Sequence, residues 1–139
     1  MQYWDASALV SLCVAEEDTR TLRGFVSAGI VTWSVSAVEI ASAIERRSRE
    51  GALSATQNAA ARAALAELAA AWTEISALGA VRDRALRLVA THPIRATDAM
   101  QLGAALVAVG DRPAGHVFLC ADQRLRNAAR REGFVVRPS

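Results

Sequence analysis

The chain has 139 residues, 53% of them hydrophobic and 22% charged, a composition typical of one globular domain. All 16 basic residues are arginines, and the absence of lysine excludes Walker-type phosphate loops, Schiff-base enzymes, phosphotransfer receivers and haloacid-dehalogenase-like phosphatases, which require one. The net charge is only +2, but residues 112–139 carry six arginines against two acids, compatible with a polyanionic partner or with a solvated helix face.

The chain carries no signal for a membrane or for secretion. No apolar run approaches the roughly 18 residues that a membrane span needs, so we expect no membrane partner. The N-terminus lacks a basic segment followed by an apolar one, which predicts a cytoplasmic location. Cys13 and Cys120 fit no metal-binding spacing and are interpreted as buried small hydrophobic residues. We expect His92 and His116 to be structural.

Short apolar stretches alternate with helical patterns along the whole chain. The first half predicts a strand at 2–4, helices at 7–14 and about 16–28, a strand at 30–33, a helix from Ser36 to Gly51 and an alanine-rich helix from Ser54. The second half predicts a strand at 73–76, a helix at 80–92, an apolar helix at 97–110, a strand at 116–120, a helix at 122–133 and a last strand at 134–136.

This alternation predicts an α/β fold, a single domain over residues 1–139 with a parallel sheet flanked by helices on both faces. The helix at 97–110 is apolar nearly all round, which predicts that it is buried, and Gly103 would let it approach the sheet closely. In such folds, ligands bind outside the carboxyl ends of the strands, where the strand order reverses.

Four acidic residues fall at that rim of the predicted sheet. Asp5 ends the first strand, Glu39 lies in the first turn of the helix after the second strand, Asp98 opens the apolar helix, and Asp122 follows the strand at 116–120. Clustered carboxylates repel one another unless a cation lies between them. Mg²⁺ or Mn²⁺ prefers oxygen ligands and activates water toward phosphodiesters, so the pattern predicts a metal-dependent phosphodiesterase.

Each acid also has a local interpretation as a helix cap. Asp5 and Asp122 can cap the helices that follow them, and Ser36 with Glu39 has the spacing of a capping box. For Asp98, the neighbouring Thr97 is the better N-cap, and a carboxylate entering an apolar helix needs a cationic partner, either Arg95 or a metal ion. Residue by residue these alternatives stay open, but their joint placement favours a metal site.

Four segments, in this order, resemble a known family: "YWDASALV", "SVSAVEIASAIER", "ATDAMQLGAALV" and "FLCADQRLRNAARREGF". The resemblance covers the whole chain and is to the PIN domain, specifically the VapC-type toxins of bacterial type II toxin–antitoxin pairs. It implies a PIN-like fold and a Mg²⁺- or Mn²⁺-dependent endoribonuclease that cuts structured RNA such as transfer or ribosomal RNA. It further implies a homodimer silenced by a cognate VapB-type antitoxin.

The resemblance also assigns roles to particular residues. It implies that the metal ligands are Asp5, Glu39, Asp98 and Asp122, with Ser7 as the hydroxyl beside the first acid. Three arginines match no motif of the family and are candidate phosphate contacts only: Arg95, Arg112 and Arg124. The alternative is a catalytically silent PIN-like RNA-binding module. A receiver-like phosphoacceptor would need the lysine that this chain lacks.

Overall fold

Five short strands form an entirely parallel sheet in the computed structural model, which describes residues 1–139. The strands are β1 (Gln2–Trp4), β2 (Val31–Trp33), β3 (Thr73–Ile75), β4 (Val117–Leu119) and β5 (Val135–Arg137). Each predicted strand is confirmed to within one residue at either end. The spatial order is β3-β2-β1-β4-β5, so the strand order reverses between β1 and β4.

Seven α-helices and one 3₁₀ turn connect the strands. The elements are α1 (Ala6–Cys13), α2 (Thr19–Arg23), the 3₁₀ turn Val26–Ala28, α3 (Ser36–Arg49), α4 (Ala55–Ala71), α5 (Leu78–Thr91), α6 (Ala96–Ala108) and α7 (Gln123–Glu132). The helical stretch predicted at 16–28 is therefore divided into a short helix and a 3₁₀ turn. None of the helices combines the length and apolar character of a membrane span.

Neighbouring residues of the strands point to opposite faces of the sheet, and both faces are buried. Tyr3 and Phe118 pack on the face covered by α5, α6 and α7. Trp4 and Leu119 pack on the other face, together with buried residues of α1, α3 and α4. The predicted α/β domain, a parallel sheet between two helical layers, is confirmed and is consistent with a PIN-like fold.

Helix α6 lies close against α5, and Gly103 makes this approach possible. A Cβ added to Gly103 would lie 2.9 Å from the carbonyl oxygen of Val81 in α5. The predicted close approach is confirmed, but the prediction that it is made to the sheet is wrong. The two helices are joined by a short connection and pack side by side on the same face of the sheet. Gly103, which has no side chain, therefore contacts α5 rather than a strand.

We expect Gly103→Ala to lower the free energy of unfolding by about 1–3 kcal/mol, because the obstructing atom belongs to the backbone and cannot rotate away. Urea unfolding measures the change. Gly79→Ala is the matched control, since its Cβ would meet only the guanidinium of Arg82 at 4.0 Å. The control is expected to be neutral or to gain up to about 1 kcal/mol. Equal effects of the two substitutions would contradict the tight crossing.

Candidate metal centre

A polar cavity of about 340 Å³ opens at the carboxyl edge of the sheet. The turns that follow β1 and β4 and the N-terminal parts of α3 and α6 contribute to its wall. Parallel strands present their carboxyl ends at one edge, so residues distant in sequence meet here. The four acidic residues of the prediction line this cavity together: Asp5, Glu39, Asp98 and Asp122.

Asp5 follows β1 and is the N-cap of α1. Its side chain is buried, and Oδ2 accepts hydrogen bonds from the backbone N–H of Ser7 at 3.1 Å and from the Ser7 hydroxyl. Burial raises the pKa of Asp5 to about 6, although the Ser7 hydrogen bonds oppose the shift, and the charge of Asp98 adds to it. The capping interpretation is confirmed, but capping occupies only one of the two oxygens.

Beneath Asp5 lies the thiol of Cys120, which is fully buried as predicted. Its Sγ lies 3.6 Å from Oδ2 of Asp5 and accepts the backbone N–H of Asp122 at 3.3 Å, so the thiol supports both acidic turns. Cys13 is only half-buried, and the prediction that it is buried is wrong. It is the last residue of α1 and lines a surface groove.

Glu39 projects from the first turn of α3 into the cavity. The N-cap of α3 is Val35, so the predicted capping box of Ser36 and Glu39 is wrong. Because the helix already includes Ser36, this hydroxyl points inward, is fully buried and bonds other side chains. Burial raises the pKa of Glu39 to about 7, the hydrogen bond from Gln101 lowers it, and the charges of Asp5 and Asp98 add to the increase.

Asp98 lies in the first turn of α6. The helix begins at Ala96 after the N-cap Arg95, so the prediction of Thr97 as N-cap is wrong. Oδ2 of Asp98 accepts the backbone N–H of Arg95 at 3.3 Å. The guanidinium of Arg95 lies 3.9 Å away on a side chain that is 80% exposed, which makes it a weak partner. Burial raises the pKa of Asp98, and the charge of Asp122 adds to the increase.

Asp122 completes the acidic lining as the N-cap of α7. Its Oδ1 accepts the backbone N–H of Leu125 at 2.9 Å, which confirms the capping interpretation. Capping and cavity lining are therefore compatible, because the cap engages one carboxylate oxygen and the second has no hydrogen-bond partner.

The same division holds in all four carboxylates: the protein holds one oxygen and leaves the other without a hydrogen-bond partner. The free atoms are Oδ1 of Asp5, Oε1 of Glu39, Oδ1 of Asp98 and Oδ2 of Asp122. Each side chain is held in place by hydrogen bonds to one oxygen, and its other oxygen remains free in the shared polar cavity. Such an arrangement is suited to binding a hard cation.

The fit to Mg²⁺ or Mn²⁺ depends on the donor set and on its spacing. No three His, Cys, Asp or Glu side chains of the structure form a ready-made metal-binding group. Mg²⁺ does not require one, because it keeps several of its waters and commonly takes one or two carboxylates directly. Four oxygen donors around a polar cavity therefore fit a hydrated divalent ion better than a fully protein-enclosed one.

Three arginines share the cavity with these acids: Arg46, Arg47 and Arg95. Arg47 is engaged by Glu16, with Nη2 3.0 Å from Oε1. The side chain of Arg46 makes no hydrogen bond and no salt bridge, so its guanidinium is available to an anion beside the acidic cluster. Neither Arg46 nor Arg47 was expected from the sequence, because both lie in a charged helical run that reads as a solvated face.

The other two candidate arginines lie differently. Arg124, in the first turn of α7, does not line the cavity, and its positive charge only partly opposes the increase in the pKa of Asp98 that burial causes. Arg112 lies between α6 and β4, at the opposite edge of the sheet. The structure does not bring Arg112 to the site, because the chain has crossed to the amino ends of the strands there.

Gln101 belongs to the site and was also missed. It is buried on α6, lines the cavity, and hydrogen-bonds Tyr3, Ser36 and Glu39. The available signal was a lone amide within an apolar helix, three residues after Asp98 and therefore on the same face.

Both histidines lie outside the cavity, which agrees with their interpretation as structural residues. Nε2 of the buried His92 is 2.7 Å from Glu132, which also binds Arg87. Nδ1 of His116 is 3.1 Å from the amino group of Met1, beside the first strand.

A scan of the chain against models of known protein families gives no match, and a search of curated proteins gives none either.

Proposed function

We propose that the protein is a Mg²⁺- or Mn²⁺-dependent endoribonuclease of the PIN-domain type. The observation that supports this best is the set of four carboxylates around one cavity, each with one oxygen held by the protein and one free. Their pKa values favour the same view, because burial and mutual repulsion raise the pKa of Asp5, Glu39 and Asp98. A protein that only needed helix caps would have no reason to bury three such charges together.

Each acid would have a defined role in phosphodiester hydrolysis. Asp5, Asp98 and Asp122 would hold the ion through their free oxygens, and Glu39 would hold it through a water bound to the ion. When bound, the ion supplies a hard Lewis acid that polarises the phosphate and lowers the pKa of water. Glu39, held at Oε2 by Gln101, accepts the proton of the attacking water at Oε1. Attack by water rather than by a ribose 2′-hydroxyl leaves a 5′-phosphate and a 3′-hydroxyl.

The arginines support a polyanionic substrate. Arg46 and Arg95 line the cavity beside the acids, and the positive charge of Arg124 acts to lower the pKa of Asp98. We propose that these side chains contact the phosphates flanking the scissile bond, because one guanidinium group can donate two parallel hydrogen bonds to a phosphate. Structured RNA, transfer or ribosomal, is the substrate class that the resemblance implies. From the same resemblance we propose a cytoplasmic VapC-type toxin that forms a homodimer and is neutralised by a VapB-type antitoxin.

Incubation with total RNA tests this function directly. EDTA-stripped protein is expected to cut RNA into discrete fragments with 5′-phosphates once Mn²⁺ is added, and excess EDTA is expected to stop the reaction. Arg112→Gln, far from the cavity, is the matched control and is expected to cut like the wild type. RNA binding without cleavage would favour the silent RNA-binding module, and cleavage that persists in EDTA would contradict the metal mechanism.

A further inference from the structure

We propose that Gln101 is a positioning residue that fixes the carboxylate of Glu39 in the cavity, as one member of a hydrogen-bonded chain that crosses the sheet from Tyr3 to Thr32. The catalytic role of Glu39 rests on the proposed function, whereas the hydrogen bonds that position its carboxylate do not.

The side chain of Gln101 uses both of its polar atoms although only 1% of the residue is exposed. Its Oε1 accepts the phenol of Tyr3 at 2.7 Å. Its Nε2 donates to Oγ of Ser36 at 3.0 Å and to Oε2 of Glu39. A buried amide with a single unmet partner would cost about 1–3 kcal/mol, so this full set of bonds holds the side chain firmly.

The direction of every proton in this chain is determined. Ser36 gives its proton to Thr32 and can only accept from Gln101, so the Gln101 atom that faces Ser36 and Glu39 must be the nitrogen, and its oxygen accepts the proton of the Tyr3 phenol. At the other end, the hydroxyl of Thr32 donates to the carbonyl of Trp4 at 2.7 Å. The bond of 2.7 Å between Thr32 and Ser36 then takes its proton from Ser36, which leaves Ser36 to accept from Gln101.

As a result, the carboxylate of Glu39 faces the Nε2 donor of Gln101 and not its Oε1 acceptor. Its Oε2 is engaged from behind and its Oε1 has no hydrogen-bond partner, with the side chain lining the cavity. Two strands and two helices supply the chain: Tyr3 from β1, Thr32 from β2, Ser36 and Glu39 from α3, and Gln101 from α6. The relative positions of these four elements therefore determine where the carboxylate of Glu39 lies.

Gln101→Met tests the role, because methionine has a similar volume and length but cannot donate. In a crystal structure of the variant, we expect the Glu39 side chain to leave its wild-type rotamer. In calorimetric titration of the EDTA-stripped protein with Mn²⁺, we expect affinity to fall about 10- to 100-fold, the effect typical of residues that orient metal ligands. Gln101→Met combined with Glu39→Gln is expected to bind Mn²⁺ no more weakly than Glu39→Gln alone.

Leu102→Val is the matched control, a buried residue of the same helix whose aliphatic side chain cannot take part in the hydrogen-bonded chain, and it is expected to keep wild-type Mn²⁺ affinity. If Gln101→Met fails to fold, Tyr3→Phe provides the second test, because it removes only the bond that orients the amide. It is expected to shift Glu39 and weaken Mn²⁺ binding in the same direction.

The two proposals fail in different ways. An unmoved Glu39 in Gln101→Met, or additive losses in the double variant, would overturn the positioning role while leaving the metal site standing. A displaced Glu39 in Gln101→Met, together with a wild-type protein that binds no Mn²⁺, would support the positioning role and overturn the proposed function.

Discussion

Replacement of Asp98 with asparagine is expected to lower metal-dependent RNA cleavage by more than about 100-fold, because residues that merely support metal ligands already cost about 10- to 100-fold. Asparagine keeps the size of the side chain and an oxygen that can accept the backbone N–H of Arg95, now 3.3 Å from Oδ2. It removes the negative charge and the second carboxylate oxygen, which faces the cavity without a partner. The fold should therefore survive while the site loses a ligand.

Initial rates on an RNA that the wild type cuts, measured in Mn²⁺, give the effect, and circular dichroism with thermal unfolding confirms the fold. Asp83→Asn is the matched control, since Asp83 is an exposed acid of α5 that does not line the cavity. The control should cut at the wild-type rate. Full metal-dependent activity of Asp98→Asn would remove Asp98 from the mechanism.

Replacement of Asp5 with asparagine is expected to abolish cleavage and yet stabilise the metal-free protein. The pKa of Asp5 rises from 3.8 to about 6, mainly through burial. A carboxyl group with a raised pKa favours the folded state while protonated, so its contribution is complete below about pH 4 and is lost as the pH rises through about 6. Asparagine stays neutral and still caps α1 by accepting the N–H of Ser7.

The expected gain in unfolding free energy at pH 8 in EDTA is up to ~3 kcal/mol, the upper limit that this pKa shift allows. The difference between variant and wild type should disappear below about pH 3, where Asp5 is protonated in both the folded and the unfolded protein. Urea unfolding across this pH range measures it. Added Mn²⁺ should stabilise the wild type and leave the variant unchanged. A variant that is less stable than the wild type at pH 8 would contradict the burial of an unfavourable charge.

Much of the fold follows from local pattern. Strands such as 2–4 and 116–120 are short apolar runs between helical patterns, and this alternation is sufficient to predict a parallel sheet with two helical layers. The partner of Gly103 could not be predicted, because periodicity identifies the buried face of a helix but not the element that covers it. The division of the stretch at 16–28 depends likewise on tertiary packing, since α2 contributes the fully buried Leu22 to the core.

The four acids could be placed at one rim because strand ends determine where they lie. Their local roles were harder to predict. The start of α3 at Ser36 turned an expected cap into a buried hydroxyl, and the start of α6 at Ala96 removed Thr97 from the capping position. Gln101 was missed because its role depends on hydrogen bonds to Tyr3 and Glu39, which are distant in the sequence and come close only in the folded protein.

The sharing of one divalent ion by these carboxylates is tested most directly by crystals of the wild-type protein grown in Mn²⁺, with diffraction recorded where manganese scatters anomalously. We expect one anomalous peak in the cavity, about 2.1 Å from free oxygens of at least two carboxylates among Asp5, Asp98 and Asp122. No peak in the cavity at saturating Mn²⁺, or a peak confined to surface acids elsewhere, would contradict the metal site and the nuclease proposed from it.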